Sequence, residues 1–557
     1  VDAMQISGAQ VIIKCLEEQG VNTVFGYPGG AILPFYDALR DSSDIKHVLT
    51  AHEQGAVHAA DGYARASGGV GVCVATSGPG ATNLVTGLAT AFMDSIPVVA
   101  ITGQVAISMI GRDAFQEVDI TGITMPITKH NFLVKCPEQL APTLRLAFQL
   151  AKTGRPGPVL VDIPRDVQTA MLAYEPEAPQ LLEPEAPAAG QVQKAIEAIN
   201  AAERPVMLIG GGVINANTEY DAMDLAEKLQ IPVVNTLMGR GACSDYRRIA
   251  LGMTGMHGHA KANNTVKNAD LILAFGSRFN DRLTDDADSY VAHKTIVHMD
   301  IDPAEIDKNI YSEIGITGDM KKSLNLLKDA CEPKDLSQWW KLIDSWPNWE
   351  NDTGDEEAPK FFQALNAVLK DKDYIITTDV GQHQMWAAQH IKIQFARQWI
   401  TSGGLGTMGF GLPSAMGAQL ARPSSRVISI SGDGGFKMTG SELFTIASNN
   451  IPVIAIVFNN SGLGMIRQLQ TVLLNKRFMA CECPGFVDFV KYGEAFGVGG
   501  TRVTTPIALA KALAAALQEN KPHIIEVIIN PKDMVQPMVA PGKGISSFVK
   551  FDGKVLR

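Results

Sequence analysis

The chain has 557 residues, too many for a single hydrophobic core and enough for roughly three or four domains. It is 46% hydrophobic and only 19% charged, which describes a well-buried globular protein. A net charge of −10 and a pI near 5.6 argue against nucleic acid or an anionic membrane as partner, and no run of about 18 apolar residues is present to span one.

In chain order, Val1 to Ala9 lacks a basic stretch leading into an apolar core, so no signal peptide is expected there. Ala51-His-Glu53-Gln-Gly55 opens an alanine-rich helical pattern, placing Glu53 near a helix N-terminus among small residues. A first-turn glutamate often only complements the helix dipole; a carboxyl at the edge of an apolar site can also exchange a proton. Next come the strand Gly71-Val-Cys-Val-Ala75, the turn Ser77-Gly-Pro-Gly80, a helix, and a strand after Pro97. Tyr174 to Gly190, rich in Pro, Glu and Ala, reads as an extended linker.

The unit then returns: Pro205-Val-Met-Leu-Ile209, the turn Gly210-Gly211-Gly212, a helix, and a strand after Pro232. A second linker is expected from Ser345 to Lys360, where the chain is acidic and interrupted by proline. The third copy runs from the strand Arg426-Val-Ile-Ser-Ile430 through Ser431-Gly-Asp-Gly-Gly435. A helix over Met438 to Ser448 and a strand over Pro452 to Phe458 then end on Asn459-Asn460. The turn-to-proline separation is 20 residues from Ser77 to Pro97, 22 from Gly210 to Pro232 and 21 from Ser431 to Pro452. This recurrence predicts three doubly wound parallel-sheet α/β domains, cut at 1–175, 190–345 and 360–557, with ligands at the carboxyl ends of the strands. Seven cysteines, an odd number with no zinc-knuckle spacing at Cys481-Glu-Cys483, predict reduced thiols in a cytoplasmic compartment.

In the third copy, glycine N–H groups before a helix suit a phosphate. Asp433 with the Asn460 amide oxygen suits a hard divalent cation. The Gly-Asp-Gly…Asn-Asn arrangement resembles the diphosphate and Mg2+ motif of thiamine diphosphate (ThDP) enzymes. More widely, the chain resembles the catalytic subunits of the acetohydroxyacid (acetolactate) synthase family from about Gly8 to Gly544. The resemblance is carried by Phe25-Gly-Tyr-Pro-Gly-Gly30, His52-Glu-Gln-Gly55, Thr76-Ser-Gly-Pro-Gly-Ala-Thr-Asn83, Asp113-Ala-Phe-Gln-Glu117 and Gly154-Arg-Pro-Gly-Pro158. Further on it is carried by Gly255-Met-His-Gly258, Arg278-Phe-Asn-Asp-Arg282, Gly403-Gly-Leu-Gly-Thr-Met-Gly409, Gly432-Asp-Gly434 and Pro537-Met-Val-Ala-Pro-Gly542.

The resemblance implies decarboxylation of pyruvate on ThDP and transfer of the hydroxyethyl unit to a second 2-oxo acid. The products would be 2-acetolactate or, with 2-oxobutyrate, 2-aceto-2-hydroxybutyrate, for branched-chain amino-acid biosynthesis. It assigns Glu53 to the cofactor's pyrimidine nitrogen, Gly381, Gln382, His383, Gly434 and Gly435 to the diphosphate, and Asp433, Asn460 and the Gly462 carbonyl to Mg2+. Gly406, Met408 and Met465 would hold the cofactor's rings. Gly30, Phe115, Gln116 and Arg282 would face the substrates, Arg282 through its affinity for a carboxylate.

Gly210, Gly211, Gly212, Met256, His257, Gly276, Arg278, Asp300 and Asp319 would contact FAD, which is mainly structural in this family. The resemblance also implies a homodimer or tetramer, with Glu53 of one chain facing the Asp433 cofactor of the other, and a small regulatory subunit as partner. A pyruvate oxidase would share ThDP, FAD and the three-block layout, whereas a glyoxylate carboligase has an apolar residue where Glu53 stands. One departure bears on specificity. Many biosynthetic members carry a Trp where this chain has Leu469, and that ring forms a wall against the extra methyl of 2-oxobutyrate and several herbicides. Its loss predicts weak preference for 2-oxobutyrate and resistance to sulfonylureas.

Overall fold

Three six-stranded sheets, every pair of neighbours parallel, organise the computed structural model, which describes residues 4–180, 182–347, 356–483, 487–539 and 542–549. The first contains β1 (Thr23–Gly26), β2 (Lys46–Leu49), β3 (Gly71–Ala75), β4 (Val98–Gln104), β5 (His130–Leu133) and β6 (Val159–Pro164), in the spatial order β2-β1-β3-β4-β6-β5. The second contains β7 (Pro205–Ile209), β8 (Val233–Asn235), β9 (Ala250–Met253), β10 (Leu271–Phe275), β11 (Thr295–Asp300) and β12 (Ile314–Thr317), in the order β9-β8-β7-β10-β11-β12. The third contains β13 (Tyr374–Thr378), β14 (Trp399–Ile400), β15 (Arg426–Gly432), β16 (Ile454–Asn459), β17 (Gly499–Val503) and β18 (His523–Ile528), in the order β14-β13-β15-β16-β18-β17.

Central strands β3, β4, β6, β7, β10, β13 and β16 are buried at every residue, which is why they read as continuous apolar runs. Each fully buried Val, Ile or Phe there contributes about 1.5–3 kcal/mol.

The recurrent strand-turn-helix-strand unit is present three times, but not in one role. In the first and third sheets it follows the third strand and leads to the fourth. In the middle sheet it follows the first strand and leads to the second, giving the dinucleotide-binding order rather than a third copy of its neighbours. Connections leave adjacent strands in opposite directions between β1 and β3, between β7 and β10, and between β13 and β15. A ligand crevice belongs outside the carboxyl ends at each.

Five helices carry or brace the crevices of the first and third sheets: α1 (Glu53–Ser67), α2 (Gln382–His390), α3 (Gly411–Ala421), α4 (Asp433–Thr439) and α5 (Gly464–Leu473). The helix expected from Met438 instead starts at Asp433, passes through a 3-10 turn at Gly440–Glu442 and continues over Leu443–Ser448. Glycines 434 and 435 suggested a turn; in the fold they lie in the first turn of α4 and admit side chains of the same chain, since a Cβ on Gly435 would lie 2.1 Å from Asp379 Oδ1 and one on Gly434 2.7 Å from a Leu463 methyl. The strand expected from Pro452 begins at Ile454, because proline has no N–H to give the ladder.

Within one chain, the first and third domains meet through α1 and α3. A Cβ on Gly417 would lie 1.8 Å from the Ala59 carbonyl oxygen, and one on Gly62 2.1 Å from that of Ser414, so the helices touch backbone to backbone. One apolar cluster runs through the contact, from Ala56, Ala59 and Ala60 to Phe410, Leu412 and Ala415. Residues 175–180 and 182–188 connect the first two domains without helix or strand; Leu181, and residues 348–355 of the second expected linker, lie outside the described residues. Among the described residues, no helix is long and apolar enough to cross a membrane, and all seven cysteines are unpaired, five of them buried.

Candidate active site

The third domain builds a polar cradle at the carboxyl ends of β13, β15 and β16. The β13 turn carries Gly381, and Gln382 and His383 open α2; the β15 turn leads to Asp433, Gly434 and Gly435 at the start of α4; Asn460 and Gly462 follow β16. Asp379, immediately after β13, fixes this arrangement. Its buried carboxylate accepts from the backbone N–H groups of Val380 (2.8 Å), Gly409 (2.9 Å) and Gly411 (3.0 Å), and so ties the loop bearing Gly406 and Met408 to the sheet. Burial still pushes its pKa up to about 6.

Asp433 is 3% exposed, and burial raises its pKa to about 6 against the opposing pull of Lys437 and of the Gly434 and Gly462 N–H groups. Asn460 Oδ1 accepts from Gly462 N–H at 3.2 Å, so a carboxylate, an amide oxygen and a backbone carbonyl gather in one place. That donor set suits a hard divalent cation. Among the described residues, no group of three or more His, Cys, Asp or Glu side chains is placed to hold a metal ion.

Three buried polar atoms in the cradle have no partner among the described residues: Gln382 Oε1, His383 Nε2 and Ser431 Oγ. Buried polar atoms are seldom left so; of the three, Ser431 Oγ can donate to an anionic ligand, whereas Gln382 Oε1 can only accept. Burial holds His383 down to about 4 against the opposing pull of a hydrogen bond to the Asp379 backbone, so its ring is neutral. Met465 lies half-buried on α5, whose neighbouring Gln468 accepts from Gln382 Nε2 at 2.8 Å.

The first domain builds a different site. Glu53 is the first residue of α1, 8% exposed, and accepts from Asn83 Nδ2 at 2.9 Å. The start of its helix is held by the third domain, where the buried Glu442 carboxylate accepts from Ala51 and His52 N–H groups, each at 3.1 Å. Gly30 is exposed after β1, with open space around its Cα. Phe115 is 87% exposed, and Gln116 adopts a left-handed φ of 60° in the loop after β4. Among the described residues, no hydrogen bond or ion pair within the chain joins Glu53 to the cradle around Asp433.

In the middle domain, Gly210, Gly211 and Gly212 meet Gly276 at the reversal between β7 and β10. A Cβ on Gly210 would lie 2.1 Å from the Gly276 carbonyl oxygen, so these glycines first serve the approach of two turns. Met256 is buried, and burial holds His257 down to about 4. Burial raises Asp300, at the end of β11, to about 6. Asp319 caps the helix Met320–Ala330 by accepting from Lys322 N–H at 2.8 Å. Arg278 donates to the Met93 carbonyl and lies 4.0 Å from Asp94, reaching back to the first domain. Arg282 is 70% exposed, with Asp281 beside it at 3.3 Å, and its guanidinium is open to an anion. Of the closing segment, Pro537 to Val539 and Gly542 are described, while Ala540 and Pro541 lie outside the described residues.

Comparison with known proteins agrees with this division. Residues 6–123 match the N-terminal TPP binding domain of thiamine pyrophosphate enzymes, residues 192–327 their central domain, and residues 379–527 their C-terminal TPP binding domain. The chain is 47% identical to the probable acetolactate synthase large subunit of Methanocaldococcus jannaschii, over 98% of this chain and 95% of that protein. The chain belongs to the acetolactate synthase family. It is also 45% identical to the acetolactate synthase large subunit of Parasynechococcus marenigrum, over 98% of this chain and 91% of that one. To the acetolactate synthase isozyme 2 large subunit of Escherichia coli it is 44% identical, over 98% of this chain and all of that one. Against the synthase family's pattern, sequence reasoning missed Asp379, Asn83 and Glu442 as supports of the site. Asp379 carried a signal, an acid between a buried strand and a glycine turn, and Asn83 lay in the Thr76–Asn83 segment, whereas Glu442 had neither.

Proposed function

We propose that the protein is an acetolactate synthase, joining pyruvate to a second 2-oxo acid to give 2-acetolactate, or 2-aceto-2-hydroxybutyrate from 2-oxobutyrate, in branched-chain amino-acid biosynthesis. The observation that carries this is likeness to acetolactate synthase large subunits across nearly the whole chain, at 44–47% identity. ThDP, when bound, supplies the nucleophilic carbon at which pyruvate loses CO2 and from which a two-carbon unit passes to the acceptor. The chain's own residues bind, orient and polarise. In this reading Gly381, Gln382, His383, Gly434 and Gly435 receive the diphosphate, and Asp433, Asn460 and the Gly462 carbonyl hold Mg2+. Gly406, Met408 and Met465 bracket the rings. Glu53 exchanges a proton with the pyrimidine nitrogen, a role suited to a carboxyl held at low exposure by one amide donor.

Arg282 takes the carboxylate of the second 2-oxo acid, and its exposure within one chain supports that use. Gln116 donates to the oxygen that gains charge, with Phe115 and Gly30 lining the same pocket. The proposed assembly has two chains, each lending Glu53 to the other's cofactor. The large-subunit names of the relatives support a smaller regulatory partner. FAD is assigned to the crevice between β7 and β10, with Gly210 to Gly212, Met256, His257, Gly276, Arg278, Asp300 and Asp319 around it. The strand order of that sheet supports the assignment. The domains are cut at 1–175, 190–345 and 360–557, and the enzyme works in the cytoplasm.

A pyruvate oxidase would share this layout, and anaerobic turnover separates the two. The synthase is expected to consume pyruvate at an unchanged rate without oxygen or quinone while bound flavin stays oxidised. Turnover that stops without an electron acceptor, or bleaches the flavin, would favour the oxidase.

A further inference from the structure

The loop 105–118, between β4 and the short helix Ile120–Thr124, carries Phe115 and Gln116 and has a costly backbone. Gly111, Asp113 and Gln116 have φ of 78°, 53° and 60°, left-handed values that two of the three adopt against their side chains. Such a shape persists only where its surroundings over-determine it. Inside the loop, the Glu117 carboxylate gathers the N–H groups of Gly111, Arg112 and Ala114. The two ends are joined by one side chain. Gln104 Oε1 accepts from Val105 N–H at 2.9 Å, and Gln104 Nε2 donates to the Val118 carbonyl at 2.9 Å. The same Nε2 donates to Asp162 Oδ2 at 2.9 Å, and Thr102 Oγ1 donates to Asp162 Oδ1 at 2.7 Å. Gln104 and Asp162 are 3% and 2% exposed, so water does not compete. The amide has one workable orientation, because flipping it would set oxygen against two acceptors and N–H against an N–H.

We propose that Gln104 is a positioning residue, held by Asp162, that latches both ends of the 105–118 loop and so fixes Phe115 and Gln116 for the acceptor 2-oxo acid. The proposal rests on the reading that those two side chains line the acceptor pocket.

Gln104→Glu tests it, replacing the donor by an oxygen that faces the Val118 carbonyl and the Asp162 carboxylate with little change of volume. In the holoenzyme, hydrogen exchange of the 105–118 amides is expected to quicken by about tenfold or more. The half-saturating 2-oxobutyrate concentration is expected to rise by a similar factor, while the half-saturating ThDP and Mg2+ concentrations stay put. Should that variant fail to fold, Gln104→Met removes the same bonds without adding charge and is read identically. Unchanged exchange in a folded variant would overturn the latch. Faster exchange with an unchanged requirement for 2-oxobutyrate would overturn the positioning role while leaving the synthase reading intact. Failure of that reading would show separately, as absence of acetolactate from the parent enzyme.

Discussion

At the scale of single residues, the account turns on two carboxylates in different settings. Glu53 lies buried at a helix start with one amide donor. Glu53→Gln removes its proton exchange with little change in volume, so turnover is expected to fall by about 100-fold or more while Mg2+–ThDP still binds. Near-parental turnover would remove Glu53 from the mechanism. Burial raises the Asp433 pKa to about 6, so below that pH a proton competes with a cation for its carboxylate. As pH falls through 6 the carboxyl protonates, so Mg2+-dependent ThDP retention is expected to weaken by about tenfold per unit below that point. Gel filtration at limiting Mg2+ across pH 5 to 8 would reveal this. Retention that is flat over the range would place the metal on other ligands.

At the scale of elements, α5 shows how a helix links cofactor and substrate surfaces. Gln468 faces inward, accepting from Gln382 Nε2 and from Val535 N–H, each at 2.8 Å. Leu469, one residue on, points away and keeps 41% exposure, in a row with Ile466 at 43% and Leu473 at 60%. At that exposure much of the Leu469 side chain stays uncovered within the chain. One apolar contact discriminates a methylene by about 1–3 kcal/mol, so the parent is expected to form the two products with little bias. Leu469→Trp should shift competition between pyruvate and 2-oxobutyrate toward 2-aceto-2-hydroxybutyrate by about tenfold, and sensitise the enzyme to sulfonylureas. A strong parental bias that the substitution leaves alone would contradict this.

The elements also show what a sequence can and cannot reveal. Asp433 and Asn460 were legible because the glycines and the strand ends that place them are local. Glu442 was not, because its partners Ala51 and His52 lie in another domain, and neither was Gln104, whose role depends on closing a loop. The strand order of the middle sheet was hidden for a similar reason. Its strand-turn-helix-strand unit is locally like the other two, and only pairing of β7 with β10 reveals a different winding.

At the scale of the whole molecule, the first and third domains are bound within one chain by α1 and α3 and by Glu442, while among the described residues Glu53 bonds to Asn83 rather than to the Asp433 cradle. A second copy completes the site in this account, and the middle domain joins the first through Arg278. Formation of 2-acetolactate from pyruvate, by protein stripped of cofactors and then given ThDP, Mg2+ and FAD singly and together, tests the central claim most directly. The account predicts product only when ThDP and Mg2+ are both present, at full rate once FAD is restored, with one CO2 released for two pyruvates consumed. Pyruvate loss without acetolactate, or acetolactate formed without ThDP, would contradict it.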